Sequence, residues 1–234
     1  MGNYISKQLA ATKRAVRMLL YKSVEKDVRA RFHKLYYQGR QRGLTWGDTH
    51  WLGTQVLKCP LDLWLYQELI VSYKPDLIIE TGTYMGGSAK FLATICDIVN
   101  HGEVVTVDIN PREGRPDHDR VTYLTGSSIS PEMTEKVREM AKGKKRVIVI
   151  LDSAHEKPHV DSEINAYKDL VKVGGYLVVE DTHLNGNPIR SDFGPGPMES
   201  VDEFISQTSD FEIDPMGEKF FMTFNPRGML RRVK

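Results

Sequence analysis

Five acids in this chain stand where apolar runs end: Glu80, Asp108, Asp152, Glu180 and Asp181. The runs are rich in β-branched and aliphatic residues, such as Leu77-Ile78-Ile79, Val147-Ile148-Val149-Ile150-Leu151 and Tyr176-Leu177-Val178-Val179. They read as strands buried on both faces of a parallel sheet, where ligands bind beyond the carboxyl ends. Carboxylates gathered in one mouth repel one another unless a cation neutralises them. Asp152, Glu180 and Asp181 come from neighbouring strands and suit a hard divalent ion such as Mg²⁺, which makes a bound hydroxyl more acidic. His155, in the loop just after Asp152, has the chemistry of a general base for that hydroxyl. His159 and His183 also stand near strand ends. Asp152, His155 and His183 together leave a second reading open, a 2-His-1-carboxylate iron site. No H-E-x-x-H motif or cysteine pair supports zinc, and Ser153 lacks the G-x-S-x-G frame of a serine hydrolase.

The first acid opens a strand, turn and helix: Leu77-Ile78-Ile79-Glu80-Thr81-Gly82-Thr83-Tyr84-Met85-Gly86-Gly87-Ser88, then Ala89 to Ile95. Glycines let backbone approach a ligand, and the free N–H groups of the helix start point at it. The spacing is Gly82-x-x-x-Gly86-Gly87, not the G-x-G-x-x-G of dinucleotide binders. Glu80 stands where a pyrophosphate would need room, so a cationic or hydroxyl-bearing ligand fits better, and S-adenosylmethionine is such a ligand. Asp108, closing the second strand, has the usual place of an acid that binds ribose hydroxyls. The same residue also suits the turn before Asn110-Pro111.

Strands alternating with helices position these groups. The pattern predicts a helix over 61–72, strands at 77–80, 104–109, 121–124, 146–151 and 176–179, and helices over 131–141, 158–171 and 198–207. A terminal hairpin is expected from 211–213 and 219–224. The glycine- and proline-rich loop 185–197 leaves the metal-type acids directly and is the expected specificity element. The sum is an α/β, Rossmann-like, mostly parallel seven-stranded sheet with an N-terminal helical extension. The division is a basic arm with its connecting loop over 1–60, and a catalytic domain over 61–234.

The arm crowds basic residues, among them Lys7, Lys13, Arg14, Arg17, Lys22, Lys26, Arg29, Arg31 and Lys34, against Glu25 and Asp27. Ile5, Leu9, Val16, Leu19, Leu20, Val24, Val28, Phe32, Leu35 and Tyr36 recur at three- and four-residue steps. That is an amphipathic helix, or two in series, packed on the core or on a partner subunit. The sharper reading is docking on an anionic membrane surface or an anionic substrate. Gly39 to Pro60 reads as a connection whose Trp46 and Trp51 either line a pocket or anchor the arm. With 32 basic and 31 acidic side chains, the formal charge of +1 offers no case for nucleic acid. Cys59 and Cys96 lack metal-type spacing, which points to a reduced, cytoplasmic setting. No apolar run reaches membrane-spanning length.

Several segments together resemble one family, over about Trp46 to the C-terminus. The run Ile79 to Ala89 is similar to motif I of the cephalosporin hydroxylase family. So are Lys58-Cys59-Pro60-Leu61-Asp62, Leu151-Asp152-Ser153-Ala154-His155 and Val179-Glu180-Asp181-Thr182. The loop Gly186-Asn187-Pro188 through Pro197 and the tail Asn225-Pro226-Arg227-Gly228-Met229-Leu230 add to it. That family, with the cephamycin methoxylation protein and mycobacterial rhamnosyl O-methyltransferases, has a class I methyltransferase fold. The resemblance implies S-adenosylmethionine and Mg²⁺, self-association, and a hydroxyl acceptor on a sugar of a glycolipid, polysaccharide or glycosylated natural product. It implies cofactor contacts from Glu80, Gly82, Thr83, Tyr84, Gly86, Gly87, Ser88, Asp108, Ser127, Ser128 and Asp152. Metal ligands fall on Asp152, Glu180 and Asp181, with catalytic roles for Asp152 and His155. The metal arrangement also resembles catechol O-methyltransferase, whose base is a lysine at the position His155 holds here. The rival readings are an iron-dependent hydroxylase and a non-catalytic accessory protein of a biosynthetic complex.

Overall fold

The computed structural model describes residues 2–234, and the side chains of 12, 13, 18, 21, 22 and 24–234. The chain begins with one long helix, α1 (Gly2–Gln38), and a short hairpin of β1 (His50–Trp51) and β2 (Thr54–Gln55). Helix α2 (Pro60–Tyr73) leads into β3 (Leu77–Thr81), α3 (Gly87–Ile98), β4 (Glu103–Asp108) and β5 (Val121–Thr125). Next come α4 (Pro131–Ala141), β6 (Val147–Leu151), α5 (Lys157–Tyr167) and β7 (Tyr176–Val179). The chain closes with α6 (Pro197–Gln207), β8 (Phe211–Ile213) and β9 (Met229–Arg232).

Among the described residues the main sheet has seven strands in the order β5-β4-β3-β6-β7-β9-β8. The pairs from β5 through β7 are parallel, and β9 runs antiparallel to both β7 and β8. The order reverses between β3 and β6, so the crevice for a ligand opens beyond their carboxyl ends. Alternation along the strands divides the core. Ile79, Val105, Val149 and Leu177 pack under α4, α5 and α6, while Ile78, Val104, Ile148 and Val178 pack under α2 and α3. Pro131 fits the first turn of α4, and Ser130 caps it by accepting from the Met133 N–H at 3.3 Å.

One expectation fails in the tail, and in the arm the apolar row turns away from the core. Residues 219–224 form no strand; the partner of β7 is Met229–Arg232. The apolar character of 219–224 has another purpose, because Met222 and Phe224 are buried against Trp46 and Cys59. In the arm, Val24, Val28, Phe32 and Leu35 are exposed rather than turned to the core. The face that docks is polar and aromatic instead. Arg29 reaches Glu218 and the Phe221 carbonyl, His33 is buried, and Tyr36 and Tyr37 pack near Phe224. Ile5, Leu9, Val16, Leu19 and Leu20, with Lys7, Arg14 and Arg17, lie outside the described side chains. No helix among the described residues is long and apolar enough to cross a membrane.

Candidate active site

A cavity of about 690 Å³ opens at the carboxyl ends of the parallel strands. On the β3–β5 side it is lined by Gly82, Tyr84, Asp108, Ser127 and Ser128; at its centre stand Asp152, His155 and Asp181. On the β7 side its wall is Tyr37, Arg40 and Trp46 from the arm and its connection, with His183, Arg190 and Phe193. The arm is therefore part of the cavity. Trp46 both anchors and lines: it stacks on Tyr37 at 5.4 Å, meets Phe224 edge-on at 5.5 Å and carries Arg40 over its ring. Trp51 lies elsewhere, edge-on against Phe91.

Gly82 explains how two strand ends come so close. Its φ is +91°, and a Cβ there would stand 1.7 Å from the Asp152 carbonyl oxygen. Only glycine allows that crossing, which brings the β3 turn and Asp152 into one site. Asp181 likewise holds a left-handed backbone, φ +55°, steadied by its N–H donating to Asn225 Oδ1 at 2.9 Å. Such a conformation costs energy in a non-glycine residue and persists where the surroundings impose it.

Ligand atoms of Asp152, His155 and Asp181 all lie within 4.8 Å of one another. Glu180, expected as the third carboxylate, points elsewhere. Its Oε1 accepts from the Tyr66 hydroxyl at 2.5 Å and from Lys58 Nζ at 2.6 Å. Lys58 is buried and also donates to Asp152 Oδ2 at 2.7 Å. Burial raises the carboxyl pKa of Asp152 and of Glu180, and the Lys58 charge pulls both back. Burial works against the Lys58 charge as well, but Asp152, Glu180 and Glu80 outweigh it and keep the ammonium protonated. Asp181 is held well below the usual carboxylate range: burial opposes this, and a hydrogen bond from His183 with the neighbouring charges prevails. Lys58 was missed as a site residue, although it heads the Lys58-Cys59-Pro60-Leu61-Asp62 segment; an ammonium in an otherwise apolar approach to a helix was the available signal.

The remaining site residues divide. Asp108 faces the cavity and accepts from the N–H groups of Tyr84 at 2.7 Å and Asn110 at 2.9 Å, with Arg115 at 3.2 Å. It thus both builds the turn and lines the site. Arg112 lies over the Tyr84 ring. Ser128 and Ser153 both reach His159 Nε2, at 3.3 Å and 3.1 Å. Glu80, Thr83, Gly86, Gly87 and Ser88 do not line the cavity. Glu80 is fully buried and accepts from the Thr106 hydroxyl, which Thr83 also meets; its Oε1 has no partner among the described residues. Burial raises its pKa. Gly87 is required by packing, since a Cβ would stand 1.9 Å from the Gln55 carbonyl oxygen. His183 does not join Asp152 and His155 as a third ligand. It is buried between Asp181 and His33, so one imidazole and two carboxylates converge rather than an iron triad. Burial pushes the His33 imidazole down to about 3.

Known proteins are similar to this chain. The rhamnosyl O-methyltransferase of Mycobacterium leprae (strain TN) is 33% identical over 225 residues, covering 92% of this chain and 94% of that protein. The rhamnosyl O-methyltransferase of Mycobacterium tuberculosis (strain ATCC 25618 / H37Rv) is 36% identical over 213 residues, covering 86% and 83%. Among solved structures, CmcI-D160 Mg-SAM aligns with a TM-score of 0.63 at 21% identity, over 80% of this chain and 77% of that one. The O-methyltransferase TomG from Streptomyces achromogenes aligns at 0.52 and 20% identity, over 76% and 78%. These two likenesses establish the fold. A family model, Rhamnosyl O-methyltransferase/CmcI, matches residues 44–233, from the arm's connection through the last strand. With the strand order, the glycine crossing and the clustered acids in place, the chain belongs to the rhamnosyl O-methyltransferase/CmcI family.

Proposed function

We propose that this protein is a Mg²⁺-dependent O-methyltransferase that moves the methyl group of S-adenosylmethionine to a hydroxyl of a sugar. The observation that carries the reading is one cavity in which Asp152, His155 and Asp181 stand between two differently built walls. Sheet order separates those walls: residues after β3, β4 and β5 fall on one side of Asp152, residues after β7 on the other.

The β3–β5 wall suits the methyl donor. Asp108 offers a carboxylate to ribose hydroxyls, Gly82 and Tyr84 bring backbone close, and Ser127 and Ser128 supply polar edges for the base. Glu80, Thr83, Gly86, Gly87 and Ser88 act here by shaping the turn. The β7 wall suits a sugar: Tyr37, Trp46 and Phe193 offer aromatic faces, and Arg40 and Arg190 offer donors to hydroxyls.

The two carboxylates of the cluster fit a hard divalent cation, with positions to spare for further oxygen ligands, and leave the His155 imidazole for proton transfer. Asp152 and Asp181 would hold it; when bound it supplies positive charge that makes an acceptor hydroxyl more acidic. Glu180 stays behind them, balanced by Lys58 and Tyr66. His155, 3.2 Å from Asp181 Oδ2, takes the acceptor's proton at Nε2. Holding donor methyl and acceptor oxygen in line supplies most of the acceleration. The loop 185–197, with Arg190 and Phe193 in the wall, selects the acceptor. The acceptor sugar belongs to a glycolipid, polysaccharide or glycosylated natural product, and the chain works as a homo-oligomer.

Calorimetric titration of S-adenosylmethionine, with and without Mg²⁺, tests the class. Binding in the micromolar range is expected in the wild type and in Asp152→Ala. A diol acceptor should bind only with Mg²⁺ present, and not to Asp152→Ala. Absence of cofactor binding under every condition would overturn the reading.

A further inference from the structure

The arm helix sends a polar side chain into the interior. His33, near the end of α1, is 7% exposed, and its Nε2 lies 2.8 Å from His183 Nδ1. His183 is 1% exposed, and its Nε2 lies 3.2 Å from Asp181 Oδ1. The other carboxylate oxygen of Asp181 faces His155 at 3.2 Å. A continuous line of contacts thus joins the arm to the acid cluster. Phe224 packs on both imidazoles, at 5.6 Å from His33 and 4.4 Å from His183.

Donor and acceptor requirements give the line a direction. A carboxylate only accepts, so His183 must carry a proton on Nε2. In a neutral imidazole the other nitrogen then has a lone pair, and that lone pair needs a donor in a buried place. His33 Nε2–H is the donor at hand. We propose that His33 is a positioning residue for the cation site: it locks His183 in the Nε2–H tautomer, and His183 in turn fixes Asp181 so that its second oxygen faces Asp152 and His155. Docking of the arm and assembly of the acid cluster are then one event. This rests on the reading of Asp152 and Asp181 as cation ligands.

The test uses the full chain as wild type, His33→Phe and His33→Gln, with Mn²⁺ as the probe ion. Mn²⁺ affinity is measured by electron paramagnetic resonance, and the His183 tautomer by ¹⁵N chemical shifts of its ring. Outer-layer partners of metal ligands typically contribute about 10–100-fold in affinity. His33→Phe is therefore expected to weaken Mn²⁺ binding about tenfold or more and to shift the His183 Nδ1 resonance, because that lone pair loses its donor while Nε2 still faces Asp181. His33→Gln keeps an N–H donor and should stay within about threefold of wild type. Unchanged affinity in a folded His33→Phe would overturn the proposal. So would a wild-type His183 protonated on Nδ1, a readout that decides the matter even where His33→Phe fails to fold. A wild type that takes no Mn²⁺ yet shows the Nε2–H tautomer would remove the ligand reading alone and leave the lock standing.

Discussion

Lys58 carries a buried ammonium, set between Asp152 and Glu180. Removing one member of a buried charge set leaves the others uncompensated, typically at a cost of about 3–5 kcal/mol. Lys58→Met should lower the unfolding free energy by roughly that amount in urea titrations at neutral pH. Asp62 has the opposite problem, a buried carboxyl whose desolvation the Thr223 and Phe224 hydrogen bonds and the Lys58 charge only partly offset. Its Oδ2 accepts from the Phe224 N–H at 2.9 Å, while Oδ1 has no partner among the described residues. Burial pushes this carboxyl up to about 7. The folded protein therefore binds the Asp62 proton more tightly than the unfolded chain does. The resulting stability is fully present below the unfolded value, about 3.9, and is lost as pH rises through the folded one. Up to roughly 4 kcal/mol is at stake. Asp62→Asn should flatten that fall in denaturation midpoints measured from about pH 4 to pH 8.

Elements meet at the site through two narrow crossings. The β3 turn passes the end of β6 at Gly82, where φ is +91° and a Cβ would strike the Asp152 carbonyl oxygen. Gly82→Ala should cost about 3 kcal/mol or more in stability and reduce Mn²⁺ binding, because relief requires moving Asp152 itself. The second crossing is the arm over the cavity. Trp46 joins α1 to the body through Tyr37 and Phe224, and it also lines the cavity wall opposite the proposed cofactor side. Trp46→Phe should raise the acceptor KM about tenfold with S-adenosylmethionine affinity unchanged, since the lost contact is on the sugar side alone. An equal loss of cofactor affinity in calorimetry would contradict that separation of walls.

For the whole molecule, cation binding and stability are linked. Any ion that binds the folded acid cluster stabilises it, by about 2.7 kcal/mol at a hundred times its Kd. Saturating Mg²⁺ should raise Tm by roughly 5–10 °C, a chelator should reverse the rise, and Asp181→Ala should show neither effect. The outer face of α1 makes a second demand on the whole. Tyr21, Val24, Val28, Phe32 and Leu35 are exposed along one side of the helix. A row of that kind calls for a cover, and a second copy of the arm would supply a matching apolar row. Light scattering should report a multiple of the chain mass, and Val28→Glu with Phe32→Glu should shift it toward the single chain.

Much of this protein was legible in its sequence because strand burial and helix starts are local properties. The runs at 147–151 and 176–179 are apolar on both faces, and Pro131 marks the start of α4, so the parallel sheet and the acids at its mouth could be read directly. Local pattern misled where an apolar segment served a distant partner. Residues 219–224 look like a strand, but Met222 and Phe224 fill the space under the arm, while the final strand Met229–Arg232 is half basic, with Arg231 exposed and Arg232 half-buried. The arm's apolar periodicity was visible, yet it does not mark the face that docks. Tertiary structure alone decided which acids converge. Whether Glu180 joins Asp181 or turns to Lys58 and Tyr66 depends on where α2 lies against the sheet, and whether His183 meets Asp152 or His33 depends on where α1 lands. Side-chain partners are set by packing between distant segments, and a buried charge takes the partner that packing delivers.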